Sequence, residues 1–242
     1  MGNLFKAAIF AFAIAALTTS ARAKQGFVLA SGFHLPSEKV TINGKTFEAI
    51  ETKMRILLCK QVAEKTGMAA HGIGWADLYG VIGAETSWIP DLEAMGNNGK
   101  ASRGLAQLED ATSARIGVTD AYDPLQALTA SANLLIEGAD WSRRKKHPIH
   151  TGMSVYYNTR KSTREKWDGQ TLTMLPIETQ RHINNVALSK RDGLFLDRKF
   201  QQQDSRAAKS MMAYVPKRSP YLYKFTQRSC SRPVWRPILA DF

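Results

Sequence analysis

At 242 residues the chain is long enough to bury a sizeable core as one domain with extensions, or as two small domains at most. Its 44% hydrophobic and 22% charged residues are ordinary for a soluble globular protein, and no segment beyond the N-terminus is apolar for long enough to span a bilayer. A formal charge of +12 is unusual and implies a polyanionic partner or surface; nucleic acid, acidic lipid and acidic cell-wall polymer all qualify.

The N-terminus narrows that choice. Lys6 precedes an apolar run from Ala7 to Leu17, and Ala21-Arg22-Ala23 has the small-x-small pattern of a cleavage site. Residues 1–23 therefore read as a signal peptide, with a tethering or buried helix as the alternative. Removing them takes away Lys6 and Arg22 and lowers the charge by two, to +10. An exported, periplasmic protein does not meet the nucleic acid that its charge alone would favour. Export also allows Cys59 and Cys230, the only two cysteines, to form a disulfide; two buried free thiols are the alternative.

Residues 24–50 carry Gly, Pro and short alternating patches such as Val40-Thr41-Ile42, the pattern of an extended lead-in. Met54, Leu57, Leu58 and Val62 recur at helical spacing over 51–66, and Gly67 stops the run. A second helix is predicted over 75–88, with Leu78, Val81 and Ile82 on one face and Pro90 beyond its end. Residues 91–103, with Gly96-Asn97-Asn98-Gly99, read as loop, and a short helix is expected around 105–116. Asp123-Pro124 is a good helix start, followed by Leu125, Leu128, Ala132, Leu135 and Ile136 on one side, with Gly138 as the expected stop. Further helices fit 151–157 and 177–189. The fold class is mainly α, with no internal repeat and no Rossmann-type alternation.

From Lys190 to Phe242 the composition changes: twelve Lys or Arg stand against four Asp, with Pro216, Pro220, Pro233 and Pro237 among many aromatics. Residues 191–242 read as an irregular basic extension, either a solvated tail or a binding element.

Glu85 is the most informative position. It follows Ile82 by three residues, Val81 by four and Leu78 by seven, which puts its carboxyl on the apolar face of its helix. Burial raises a carboxyl's pKa, so such a group can hold a proton near neutral pH and deliver it. A helix-end Glu satisfied by backbone or an Arg is the bland alternative.

Its surroundings add weight. Glu85-Thr86-Ser87-Trp88-Ile89-Pro90 is followed by Gly104-Leu105-Ala106-Gln107-Leu108, then Asp123-Pro124, Tyr156-Tyr157-Asn158, and Glu178-Thr179 with Val186. Over about residues 72–190 this order resembles the lytic transglycosylase family of the soluble (SLT) type, which shares the goose-type lysozyme-like fold. The resemblance implies a lysozyme-like helical domain over 71–190, preceded by a lead-in and first helix over 24–70. It implies Glu85 as catalytic acid and base, and Thr86, Gln107, Tyr157 and Asn158 as substrate-binding residues, with Tyr157 near the Glu85 carboxyl. Several positions depart from the family's pattern: Thr86 for Ser, Ala106 for Met, Asp110 for Pro, Thr159-Arg160 for Ala-Gly, and His182 for Tyr.

The implied reaction is peptidoglycan glycan cleavage at the MurNAc–GlcNAc β-1,4 bond, forming 1,6-anhydro ends, with no metal or cofactor. Ordinary glycosidases use two carboxylates, whereas a tethered C6 hydroxyl lets one suffice. Asp91, Glu93 and Glu109 are the candidates for a second carboxylate, though loop charges are the simpler reading of them. Trp75 and Trp88 are candidates for stacking on sugar, or core residues. The resemblance also suggests an envelope-spanning secretion or conjugation complex as partner. A hydrolytic muramidase and a non-catalytic wall-binding subunit are the rival readings. The chain has no HExxH helix, Gly-x-Ser-x-Gly elbow or phosphate loop.

Overall fold

The computed structural model describes residues 27–29, 32–96 and 99–214, so the expected signal peptide and the end of the basic extension lie outside the described residues. The protein is mainly helical. Among the described residues no helix is long and apolar enough to cross a membrane. The chain divides into two compact units after Arg198.

The lead-in contains more order than its pattern suggests. Strands β1 (Ser37–Ile42) and β2 (Lys45–Ile50) pair antiparallel, with Ile42 opposite Lys45. The two residues between them, Asn43 and Gly44, both have positive φ, as a tight hairpin turn with the strands' twist requires. Ala49 and Ile50 bury completely, and the Ile50 amide donates to the Trp88 carbonyl at 3.1 Å. Glu38 on β1 receives the Thr52 amide and hydroxyl, at 3.3 and 2.7 Å, and ties the hairpin to the first turn of α1 (Thr52–Thr66). Arg55 donates to the Ile50 carbonyl and pairs with Glu38.

Helix α1 buries Ile56, Leu58, Cys59 and Val62 and leaves Leu57, expected in the core, exposed. It ends where predicted, at Gly67 in the left-handed conformation. After a 3-10 turn at Met68–His71, α2 (Trp75–Thr86) brings Leu78, Val81 and Ile82 to zero exposure against the α1 and α4 side of the core. Helix α2 stops two residues earlier than expected because Ser87 and Trp88, at φ 51° and 69°, both turn left-handed.

The expected loop 91–103 and the start of the expected helix at 105 are a small antiparallel sheet instead. Its strands are β3 (Glu93–Met95), β4 (Ala101–Arg103) and β5 (Leu108–Glu109), in that order, and α3 (Asp110–Ile116) follows. Helix α4 (Pro124–Lys145) begins as predicted, with Asp123 Oδ1 accepting the Leu125 and Gln126 amides at 2.8 Å. Gly138 does not end it. Gly138 is buried where α4 crosses α5 (Ile149–Asn158), and a Cβ there would lie 2.9 Å from the Met153 Cα. The position needs a small side chain for packing, not a flexible backbone.

A short helix α6 (Lys161–Arg164) and a 3-10 turn at Leu172–Met174 lead to α7 (Ile177–Tyr214). Helix α7 continues well past Lys190, so the segment expected to be irregular is helical as far as Tyr214. It packs closely on α2. A Cβ on Gly80 would lie 2.7 Å from the Val186 carbonyl, and one on Gly83 would lie 2.0 Å from the Ser189 hydroxyl. These two bare positions on α2 let the α7 backbone come near the last turn of α2.

Candidate active site

Glu85 stands in that last turn. Its phase with Leu78, Val81 and Ile82 puts it against the core, and its side chain is 17% exposed. Two residues later the chain reverses through Ser87 and Trp88. A bulky side chain in the left-handed region costs on the order of 1–3 kcal/mol, which the surrounding structure must hold in place. Trp88 is held by its carbonyl bond to Ile50, by Tyr79 at 5.0 Å between ring centroids, and by the Arg55 guanidinium over its ring at 5.9 Å. At 2% exposure Trp88 is a core residue and does not face a sugar.

The segment Gly104–Gln107 forms the next wall. Gly104 has φ 68°, and a Cβ there would fall 1.8 Å from the Ala121 carbonyl oxygen, so only glycine fits. Gln107 is also left-handed, at φ 47°, and its Nε2 donates to the Leu92 and Gly104 carbonyls at 3.2 and 3.0 Å. Its amide nitrogen is thus committed to bracing the turn. Thr86 is 3% exposed, with its hydroxyl 3.2 Å from the Ile82 carbonyl and 3.3 Å from the Leu105 carbonyl. Thr86 therefore ties α2 to the Gly104 turn. Asn158 is exposed at the end of α5, where its Oδ1 accepts from the Thr179 hydroxyl at 2.9 Å.

Tyr157 comes to the same place from α5, but its hydroxyl does not bond to Glu85. It donates to the Ala106 carbonyl at 2.8 Å and lies 3.0 Å from Ser131 Oγ on α4. Burial pushes the Tyr157 phenol above its ordinary range, and the nearby Glu85 charge pushes it further. Among the described residues, His182 on α7 brings a ring nitrogen to the carboxyl. Its Nδ1 lies 3.3 Å from Glu85 Oε1, and its ring runs nearly parallel to that of Tyr157, 6° apart at 6.3 Å between centroids.

The electrostatics follow from this enclosure. Burial raises the Glu85 pKa from 4.5 to about 8, so its neutral form predominates at pH 7. Burial lowers the His182 pKa from 6.5 to about 4, so the imidazole is neutral there too. Among the described residues, no cation and no second carboxylate contributes to the Glu85 shift. Of the candidate second carboxylates, Glu93 accepts from the Tyr122 hydroxyl at 2.8 Å and lies 3.6 Å from Arg103, while Glu109 lies 3.9 Å from Lys100. Such a site can donate one proton and take it back at one carboxyl.

Among the described residues no group of three or more His, Cys, Asp or Glu side chains could hold a metal ion. Cys59 is fully buried, and burial pushes its thiol well above the ordinary range. Cys230, its expected partner, lies outside the described residues. His182 is the site residue that sequence reasoning undervalued. The available signal was its place between Thr179 and Val186 at spacings of three and four, which marks a polar side chain on a buried stripe. No family model, no curated protein and no solved structure matches this chain.

Proposed function

We propose that this protein is an exported lytic transglycosylase of lysozyme-like fold that cleaves peptidoglycan strands, with Glu85 as the sole acid and base. The observation that carries the reading is a mostly buried carboxyl, held protonated near neutral pH by desolvation, with no second carboxylate among the causes of that shift in the described residues. An inverting or retaining glycosidase needs a partner carboxylate to activate water or attack carbon. A single carboxyl suits a substrate that carries its own nucleophile.

In this reaction the Glu85 carboxylic acid gives its proton to the glycosidic oxygen as the C1–O bond breaks. The carboxylate that remains takes the proton of the C6 hydroxyl on the same MurNAc residue while O6 bonds to C1. The products are a 1,6-anhydro end and a free hydroxyl on the departing sugar, with no water consumed and Glu85 restored. Holding O6 near C1 supplies the effective concentration that a second catalytic group would otherwise provide. The motif order from Glu85 to Thr179 also supports this reading, and the net charge of +10 left after residues 1–23 suits an anionic wall or the envelope machinery embedded in it.

Digestion of purified sacculi, followed by mass spectrometry of the muropeptides, tests the proposal. Anhydro-MurNAc ends with wild type and none with Glu85→Gln are expected. Reducing ends in place of anhydro ends would make the protein a muramidase. Equal wall binding with no cleavage by either protein would make it a non-catalytic subunit.

A further inference from the structure

The proposed chemistry leaves unassigned a side chain, His182, whose ring nitrogen lies 3.3 Å from the reacting carboxyl. We infer that His182 is a positioning residue: a neutral imidazole with its hydrogen on Nδ1 holds Glu85 Oε1, reserves Oε2 for proton transfer, and stabilises the carboxylate that remains. The inference rests on Glu85 being the acid.

Three observations on separate atoms carry it. His182 is 5% exposed, and its Nε2 is buried with no hydrogen-bond partner. A buried N–H without an acceptor is rarer than an unfilled lone pair, so the hydrogen of the neutral ring belongs on Nδ1. Nδ1 is the atom 3.3 Å from Glu85 Oε1. The ring cannot easily turn away, because it lies parallel to Tyr157, whose hydroxyl is held by the Ala106 carbonyl and Ser131. Glu85 from α2 and Tyr157 from α5 are the titratable groups that face it.

This arrangement makes the two carboxyl oxygens unequal. With the hydrogen on Nδ1, Oε1 is the oxygen the imidazole can hold, and the acid's proton belongs on Oε2, for which no hydrogen bond is found among the described residues. When Oε2 loses that proton, the contact to Oε1 becomes a charge-assisted hydrogen bond. At 3.3 Å the two groups are close but not aligned as a hydrogen bond in the resting structure, and the carboxylate swings onto the N–H as charge develops. The contact is therefore stronger in the transition state than in the resting enzyme, which is what accelerates a reaction.

The first measurement needs only wild-type protein. The ¹⁵N shifts of His182 at pH 7 should report a protonated Nδ1 and a bare Nε2, and the opposite tautomer would overturn the inference. The second compares His182→Leu with His182→Asn, whose amide nitrogen can occupy the Nδ1 position. Losing the bond should lower kcat by about 10- to 100-fold in the Leu variant, with KM little changed, and Asn should recover most of the loss. Carbon-13 titration of the Glu85 carboxyl should show its pKa rising in the Leu variant and returning toward wild type in the Asn variant. An unmoved Glu85 titration, or Asn and Leu variants alike in it, would refute the positioning role. If wild type cleaves no glycan while tautomer and titration behave as stated, the proposed reaction fails and the pairing stands.

Discussion

Helix α2 carries two inward-facing acidic side chains eight residues apart, Asp77 buried and Glu85 mostly so, and α7 answers each with a basic residue at the same spacing. Asp77 meets Lys190 at 2.5 Å, and Glu85 meets His182 at 3.3 Å. Asp77 sits at the start of α2, where the helix dipole favours negative charge. Its Oδ2 accepts the Gly74 amide at 2.9 Å, and its Oδ1 also lies 3.0 Å from His150. Glu85 sits at the other end, where the dipole opposes negative charge, and the residue provided for it is a neutral imidazole. One pair joins two helices, whereas the other keeps a proton available. Burial is common to both carboxyls, so the difference lies in what each meets.

The largest effect separates the two ends by function. Glu85→Gln should lower glycan cleavage by about a hundred- to ten-thousandfold, the usual worth of a general acid, with little loss of stability. Parallel sacculus digestion and thermal unfolding check both halves. Asp77→Asn should do the reverse: it leaves Lys190 without its anion and costs about 3 kcal/mol of stability, read by urea unfolding. Comparable losses of stability in the two variants would erase the distinction.

Much of this arrangement was legible before any coordinates. Helices that bury one face announce it by spacing, and the phase of Glu85 with Leu78, Val81 and Ile82 put the carboxyl inward. The Asn43-Gly44 turn was also readable, but the alternation in its strands is weak because one face is largely exposed. Strands of two or three residues, such as β3 to β5, are too short to show a period at all. Gly138 misled because a glycine needed for close packing looks the same in sequence as one that ends a helix. The continuation of α7 beyond Lys190 was hidden by charge, although Arg, Lys, Gln, Ala and Met are sound helix formers. The role of His182 was out of reach, since it depends on α7 meeting α2 across 97 positions of sequence.

The Glu85 end also predicts how stability varies with pH. The Glu85 pKa is raised on folding, from 4.5 to about 8, so the folded protein keeps a proton that the unfolded chain loses. That contribution is complete below pH 4.5 and is lost as pH rises through 8, by about 1.4 kcal/mol per unit. The His182 pKa is lowered, from 6.5 to about 4, so its contribution is complete above pH 6.5 and is lost as pH falls through 4. Between pH 4.5 and 6.5 the two slopes oppose each other and stability should be nearly level. Between 6.5 and 8 the Glu85 slope is no longer opposed by His182, and about 2 kcal/mol should disappear. Urea unfolding in steps of pH 4 to 9 measures this. In Glu85→Gln the fall above pH 6.5 should vanish, and a rise below it should emerge. An unchanged profile in that variant would mean that the carboxyl titrates like an exposed one.

The smallest effect concerns how the chemical end of α2 is held. Thr86 adjoins Glu85, and its hydroxyl reaches the Ile82 and Leu105 carbonyls, linking the helix to the Gly104 turn. Thr86→Val keeps the shape and removes the hydroxyl, so unfolding should ease by about 1 kcal/mol, the net worth of one such bond. Thr86→Ser keeps the hydroxyl and should lose less of that link. Because the Ala106 carbonyl in the same turn accepts the Tyr157 hydroxyl, a turn that drifts would also loosen the ring stacked on His182. The Val variant should therefore lose more in kcat than its stability alone explains, and steady-state cleavage well below its melting temperature reads that excess. If kcat stays at the wild-type value while stability drops, the turn supports the fold without holding the site.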